Sequence, residues 1–141
     1  MKIAEIELFG KSRLFTEMKN AQRLFREFRF NTRLPARFFT KSEDLQTKIY
    51  NEDLLVQGVI DCIIVDDKGE LHLVDYKTDR LTEKELENRS LAEEKLNSAH
   101  ARQLSYYALA VEKIFGKAPK SLRVYSLPLG DTVDIIPLKL S

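Results

Sequence analysis

The segment that decides the fold of this chain is residues 53–80, DLLVQGVIDCIIVDDKGELHLVDYKTDR. Two runs rich in Val, Ile and Leu flank a polar turn at residues 66–70, a pattern that predicts a β-hairpin. Three ionisable residues interrupt these apolar runs: Asp61, Asp75 and Lys77. Aspartate is depleted in strands and costly to bury without a partner, so these residues require a chemical explanation.

Side-chain alternation and the length of the turn predict how the two strands pair. Asp75 and Lys77 share one face because successive residues of a strand point to opposite sides. A turn of five residues predicts that Val65 pairs with Leu71, which brings Asp61 opposite Asp75. Like charges at that spacing destabilise a sheet, and a divalent cation between them would turn repulsion into ligation. A slip of two residues would make the pair diagonal. The predicted companions of Asp61 on its face are Val59, Ile63 and Val65.

The composition is typical of one globular domain. With 141 residues, of which 43% are hydrophobic, the chain can bury roughly two-thirds of its unfolded surface. We therefore expect a single domain over residues 1–141. The 23 basic and 22 acidic residues nearly cancel, yet residues 1–39 carry nine Lys and Arg against four Glu.

Cysteine content and hydropathy exclude several classes of protein. Cys62 is the only cysteine, which excludes an intramolecular disulfide, a cysteine zinc site and a cysteine-ligated iron–sulfur cluster. A lone cysteine fits a reducing, cytoplasmic setting and is expected to pack as a small apolar residue. The chain has no apolar run of about 18 residues and no signal-peptide pattern, so we expect a soluble protein without membrane contact.

Residues 2–27 are predicted to form a helix. Apolar residues recur there at spacings of three and four: Leu14, Met18, Ala21, Phe25 and Phe28. Lys19, Arg23 and Arg26 would line a neighbouring face. That face is either a surface that contacts nucleic-acid phosphates or an ordinary solvated helix face.

The remaining elements follow from alternation and from helix caps. Phe30, Thr32 and Leu34 predict a strand that Pro35 limits to a sheet edge or a strand end. Residues 41–46 are predicted to be a loop or short turn. Gly58 within the next strand indicates a bulge or a close backbone approach.

Two helices and two strands are predicted after the hairpin. Thr82 and Glu85 form a capping-box pattern, so one helix begins near residue 83, and a longer one covers residues 90–115 before Gly116. His100, Gln103 and Tyr107 lie along one stripe of the long helix. Strands are predicted at residues 122–127 and 132–136. This order predicts an α/β or α+β domain with a mixed central sheet flanked by helices.

Two carboxylates and a lysine on adjoining strands suit metal-assisted hydrolysis of a phosphodiester. Mg2+ prefers oxygen ligands and keeps several waters, so Asp61, Asp75 and a backbone carbonyl would leave room for phosphate oxygens. Lys77 would orient a water or stabilise developing negative charge, and whether it acts as a general base stays open. The alternative is a structural salt-bridge cluster.

Three ordered signatures carry a resemblance to a known family. They are GVID at residues 58–61, DYKT at 75–78 and QLSYY at 103–107. In order and spacing they resemble the signatures of RecB-like nucleases of the PD-(D/E)xK superfamily. The flanking sequence looks most like the C-terminal nuclease domain of the AddA subunit of bacterial ATP-dependent helicase–nucleases. The resemblance implies a restriction-endonuclease-like fold and Mg2+-dependent cleavage of DNA, as an exonuclease, during double-strand end processing and recombinational repair; Mn2+ could replace Mg2+.

The same resemblance implies roles for individual residues and partners. Asp61 and Asp75 would ligate the metal, Tyr76 would lend its backbone carbonyl, and Lys77 would be the catalytic lysine. Gln103 and Tyr107 match the QxxxY motif, which supports the site and contacts DNA. The implied partners are DNA, a helicase region and an AddB-like subunit. The alternative is a nuclease-fold module that binds DNA or a partner without cutting.

The chain also departs from the family pattern. Such nucleases usually have a further metal ligand, a His or Glu on a helix well before the GVID strand, and none is evident here. Both histidines, His72 and His100, follow Asp61, and we expect structural or surface roles for them. A helicase motif of the G-x-x-x-x-G-K-[ST] type is absent. The chain is therefore interpreted as a C-terminal fragment of a larger helicase–nuclease or a stand-alone remnant.

Overall fold

The computed structural model describes residues 3–39 and 52–140. The helices in this part are α1 (Ile3–Gly10), α2 (Arg13–Lys19), α3 (Glu83–Glu87) and α4 (Arg89–Phe115), and a short 3-10 turn covers Ala36–Phe38. The strands are β1 (Arg23–Pro35), β2 (Asp53–Val65), β3 (Leu71–Lys77), β4 (Ser121–Ser126) and β5 (Asp131–Asp134). None of these helices is long and apolar enough to cross a membrane.

The strands form one mixed sheet in the order β1-β2-β3-β4-β5. Neighbouring strands are antiparallel except β3 and β4, which are parallel and connected through α4. Parallel strands require a crossover connection of this kind. The predicted mixed α/β sheet flanked by helices is confirmed.

The predicted register of the hairpin holds over the part that pairs. Val65 lies opposite Leu71 and Ile63 opposite Leu73, as alternation and turn length indicated. The ladder between β2 and β3 ends at the pair Cys62 and Val74. Beyond this point β2 pairs only with β1, which accompanies it to its first residue. We call the two-stranded part formed by residues 27–35 and 53–61 the β1–β2 ribbon.

Apolar side chains cover both faces of the sheet. On one face, α4 packs against Ile60, Ile63 and Leu73 through Leu104 and Val111. On the opposite face, α2 contributes Leu14 and Met18 to a second core; its sheet residues are Cys62, Ile64, Val74 and Tyr125. Alternation along β3 therefore places Asp75 and Lys77 on the α4 face, as predicted.

The single helix predicted over residues 2–27 is wrong: the chain forms two helices, α1 and α2, separated at Lys11 and Ser12, and no helix follows Lys19 before β1. After α2 the chain enters β1, whose Phe25 and Phe28 belong to the α4 face although they are three residues apart. Glu27 between them has a positive φ of 48°, which breaks the alternation of the strand. The two rings then meet at a centroid distance of 5.6 Å. A spacing of three was therefore produced by a break in a strand and not by a helical turn.

The same break corrects two smaller predictions. Arg23 and Arg26 lie in β1 and not on a helix with Lys19. Val59 was predicted to share a face with Ile63, but Ile60 packs with Ile63 in the α4 core, so Val59 points to the other side. The reason is again the interrupted alternation opposite Glu27.

Several local signals are confirmed. Pro35 ends β1, which is an edge strand of the sheet. The Thr82 hydroxyl and the Glu85 carboxylate complete the capping box of α3. Gly116 ends α4 with a left-handed φ of 81°. The last two strands each begin one residue earlier than predicted, and β5 ends two residues earlier. The loop predicted at residues 41–46 lies outside the described residues.

Candidate active site

The two acidic residues of the hairpin meet where β2 and β3 separate. The last pair between β2 and β3 is Cys62 with Val74. Asp61 and Asp75 are the next residues of the two strands. The backbone N–H of Tyr76 donates to Asp61 Oδ2 at 2.9 Å, which bridges the separating strands. The Asp61 carboxyl lies close enough to that of Asp75 to raise its pKa. The predicted juxtaposition is present, but at a fork in the sheet and not inside a continuous ladder.

Asp75 sits in an environment that disfavours its charge. The residue is only 6% exposed. Burial raises the pKa of its carboxyl above the ordinary value, the Asp61 carboxyl raises this pKa further, and Lys77 lowers it. Two carboxylates face one ammonium group here, so the cluster has an excess of negative charge.

Lys77 joins the acidic pair to the long helix. Its Nζ lies 2.8 Å from Asp75 Oδ2 and donates to Gln103 Oε1 at 3.0 Å. Gln103 Nε2 in turn donates to the Tyr107 hydroxyl at 3.1 Å. The stripe predicted on α4 therefore faces the acidic fork, and an unbroken chain of polar contacts runs from Asp75 through Lys77 and Gln103 to Tyr107.

A glycine lets the ribbon approach this chain of contacts closely. A Cβ atom at Gly58 would lie 2.7 Å from the Phe30 ring and 3.3 Å from the Tyr107 ring. These two rings pack edge to face, with centroids 5.6 Å apart. Any larger residue at Gly58 would push Tyr107 and with it the Gln103 amide. The close backbone approach indicated by the sequence is thus the contact that positions the α4 stripe.

The donor set fits a divalent cation. Asp75 Oδ2 accepts no aligned hydrogen bond from any described residue, and its ion pair with Lys77 leaves acceptor capacity unused. A hard cation that takes one or two carboxylates and several waters matches this under-neutralised carboxylate pair, in which Asp75 is buried and Asp61 half-buried. Within residues 3–39 and 52–140, no group of three His, Cys, Asp or Glu side chains is placed to hold a metal. The site therefore offers two carboxylates, and the carbonyl role of Tyr76 stays a prediction.

The other singled-out residues lie apart from the acidic pair. His72 faces away from Asp75. Its Nε2 lies 2.8 Å from Asp66 Oδ2 in the hairpin turn, and its Nδ1 lies 2.7 Å from Ser121 Oγ in β4. Cys62 is fully buried, and burial raises the pKa of its thiol to about 11. Its predicted role as a small core residue agrees with this position.

His100 reaches the segment that follows β3. Its Nε2 lies 3.0 Å from Asp79 Oδ2. Asp79 was not singled out in the sequence, because it lies two residues beyond the end of β3, where strand alternation no longer predicts the direction of a side chain. His100 therefore extends the α4 stripe by one contact without touching the carboxylate pair.

Sequence reasoning also missed a cavity beside Asp61. It has a volume of about 400 Å3, and its lining residues are Phe9, Phe15, Met18, Arg26, Glu27, Asp61 and Tyr76. The positive φ of Glu27 gives no signal in a sequence, because glutamate is not a residue typical of that conformation. The cavity opens on the side of α1 and α2, opposite the Lys77 side of the fork.

Comparison with known proteins finds a matching family model and similar bacterial proteins. The model of the PD-(D/E)XK nuclease superfamily matches residues 5–133. The chain is similar to the A subunit of the ATP-dependent helicase/nuclease of Thermoanaerobacter sp. strain X514, with 34% identity over 89% of the chain and 9% of the relative. The proteins of the same name from Clostridium botulinum strain 657 and Clostridium perfringens strain 13 are 32% and 31% identical over 90% and 92% of the chain. The chain spans about a tenth of the length of these relatives, 9% and 10% for the two clostridial proteins.

Proposed function

This chain belongs to the PD-(D/E)XK nuclease superfamily, and we propose that it hydrolyses phosphodiester bonds of DNA with Mg2+, or Mn2+ in its place. The observation that carries the proposal is the fork, where the Asp61 carboxyl lies beside that of Asp75 and Lys77 Nζ lies 2.8 Å from Asp75 Oδ2. Lys77 can neutralise only one of the two facing carboxylates, so a bound cation would account for the second, half-buried acid, Asp61. DNA as the substrate is taken from the helicase and nuclease activities named for the relatives.

Each residue of the cluster has a role in the proposal. Asp61 and Asp75, with the carbonyl of Tyr76, would hold the cation. When bound, the cation would supply Lewis acidity and lower the pKa of a coordinated water. The Lys77 ammonium would stabilise negative charge that develops on the phosphate, since its position is fixed from two sides by Asp75 and Gln103. Tyr107 fixes Gln103 in turn.

The direct test is cleavage of labelled linear single- and double-stranded DNA with Mg2+ or Mn2+. We expect Asp75→Ala to lower the rate by at least about 100-fold, because it removes a ligand and leaves Lys77 unpaired. Asp67→Ala is the matched control, since this exposed acid lies in the turn at the other end of the hairpin. Equal rates for wild type and Asp75→Ala would contradict the proposal.

Metal binding provides a second readout that does not depend on turnover. Mn2+ should raise the melting temperature of the wild-type chain, because a ligand that binds only the folded state stabilises it. Asp75→Ala should abolish this shift, and Asp67→Ala should retain it. A shift that survives in Asp75→Ala would place the ion elsewhere.

A second candidate function is a module that binds DNA or a partner protein without cutting DNA. The observation in its favour is that the described residues offer two carboxylates and no third metal-ligating side chain beside them. DNA binding without cleavage under every metal condition would favour this candidate. In either case we propose that the chain is one nuclease-type domain that works with a helicase region and an AddB-like subunit in double-strand end processing.

A further inference from the structure

Three arginines share the open face of the β1–β2 ribbon. Arg29 and Arg33 alternate with Phe30 and Leu34, which are buried, so both arginines point away from α4. Arg26 points to the same side, because it adjoins Phe25 of the α4 core. All three arginines are exposed.

The break at Glu27 creates this alignment. In an uninterrupted strand, two residues three apart would face opposite sides. The positive φ at Glu27 lets Arg26 and Arg29 share a side, just as Phe25 and Phe28 share the other. Such a backbone conformation costs about 1 kcal/mol or more outside glycine, and residues held in it cluster at functional sites.

Among the described residues, no countercharge occupies the middle of this face. None of the ion pairs between described residues involves Arg26, Arg29 or Arg33. The β2 residues that pair with Arg29 and Arg33 are Val59 and Leu55, and both are exposed and uncharged. A protein surface normally mixes both signs of charge, so three arginines without an ion pair among the described residues indicate an anionic partner.

The row of arginines leads to the acidic fork. Arg26 lines the cavity that also contains Asp61, whereas Arg33 lies near the far end of the ribbon, opposite Leu55. Seven residues of strand separate the two ends, which is roughly 23 Å at about 3.3 Å per residue. One DNA strand of a duplex carries a phosphate every 3.4 Å or so of axis, so this length matches about seven nucleotides.

We propose that Arg26, Arg29 and Arg33 form a track that holds the sugar-phosphate backbone of DNA as it enters the fork between Asp61 and Asp75. The inference rests on the proposed function and adds the surface along which the substrate lies. Contacts to phosphates carry no sequence information, so the track binds DNA of any sequence. Its strength falls with salt, because each neutralised phosphate releases counterions.

The test is fluorescence anisotropy with labelled DNA of about 30 nucleotides, single-stranded or duplex, in EDTA, where metal-dependent cleavage is blocked. The test variant is Arg26→Gln/Arg29→Gln/Arg33→Gln. The control is Lys68→Gln/Lys117→Gln/Lys120→Gln, which removes the same charge near the turn at the other end of the hairpin. We expect the test variant to bind at least about tenfold more weakly, with a salt slope smaller by about 2 to 3 units. The control should stay within about twofold of wild type.

Equal losses in the two triple variants would overturn the track, because net charge would then explain binding. Unchanged DNA affinity with new self-association of the test variant would also overturn it, since edge-strand charges can serve only to prevent sheet pairing. If the triple variant does not fold by circular dichroism, Arg29→Gln alone should give a smaller loss of affinity in the same assay, and no loss would overturn the track. Cleavage is measured in parallel: DNA cutting with arginine-independent binding would sink the track alone, whereas arginine-dependent binding without cutting would sink the nuclease function alone.

Discussion

The two halves of β2 differ in strand pairing and in exposure to solvent. Residues 62–65 lie between β1 and β3, and Cys62, Ile63 and Ile64 are fully buried. Residues 53–61 pair only with β1, and Leu55 and Val59 are 55% and 36% exposed. We call them the anchored half and the ribbon half. Asp61 stands at their boundary, where a carboxylate is half-buried yet still reaches the outside.

The comparison teaches why acids occur at this point of an apolar strand. In the anchored half both faces of the sheet are covered, so an acid on either face would be buried without a partner. An acid farther along the ribbon would be exposed to solvent. The fork combines a buried wall, a facing acid and an opening to solvent. The anchored half supplies stability, and the ribbon half carries the surface proposed for DNA binding.

The largest expected effect is a change that breaks the anchored half. Ile63→Ala removes a fully buried side chain from the α4 core and should lower the free energy of unfolding by about 3 to 4 kcal/mol. Val59→Ala, on the ribbon half, should change it by less than about 0.5 kcal/mol. Urea denaturation of both variants measures the difference. Comparable losses would show that the ribbon half is as tightly packed as the anchored half.

A second change tests the one tight contact of the ribbon half. Gly58→Ala would force a Cβ atom to within 2.7 Å of the buried Phe30 ring, so we expect a loss of about 1 to 3 kcal/mol in unfolding free energy. The displaced Tyr107 should also lower DNA cleavage. Gly10→Ala is the control, because no atom lies within 4 Å of its added methyl group. A stability change as small as that of the control would contradict the close packing.

The structure is more predictable from the sequence in the anchored half of β2 than in the ribbon half. Alternation and turn length correctly predicted that Val65 pairs with Leu71, because the anchored half is regular and buried on both faces. The α4 stripe was equally readable from its helical spacing. The end of the β2–β3 ladder after Cys62 was not, since no residue type marks the place where two strands separate. The start of β1 was not predicted for a related reason. The positive φ of Glu27 lets Phe25 and Phe28, three residues apart, lie on one face of a strand, and this spacing is also typical of a helix.

A third change tests the electrostatic cost of burying the Asp75 carboxyl at the boundary between the two halves. The pKa of Asp75 is raised in the folded chain, so the folded state binds its proton more tightly than the unfolded state. Stability from this group is therefore present below about pH 4 and is lost as the pH rises through the folded pKa. Asp75→Asn, a neutral mimic, should be more stable than wild type by about 1 to 2 kcal/mol at pH 8 in EDTA.

The pH dependence distinguishes this cost from a packing effect. At pH 4 the wild-type carboxyl is largely protonated in the folded state, so the advantage of Asp75→Asn should nearly vanish. Thermal melts at the two pH values measure it. Asp67→Asn is the control, since this exposed carboxyl should show no such gain at pH 8. A destabilised Asp75→Asn at pH 8 would mean that the ion pair with Lys77 outweighs the burial of the acid.

The smallest expected effect concerns the residue opposite the boundary. Glu27 holds a φ of 48°, where glycine is favoured over residues with a Cβ atom. Glu27→Gly should therefore be more stable than Glu27→Ala by about 0.5 kcal/mol, after the larger entropy of glycine in the unfolded chain is subtracted. At Asn31, an exposed position with regular strand pairing in β1, the order should reverse. Chemical denaturation of the four variants measures both differences. If alanine is the more stable residue at Glu27 as well as at Asn31, Glu27 is not strained, and the alignment of Arg26 with Arg29 would need another cause.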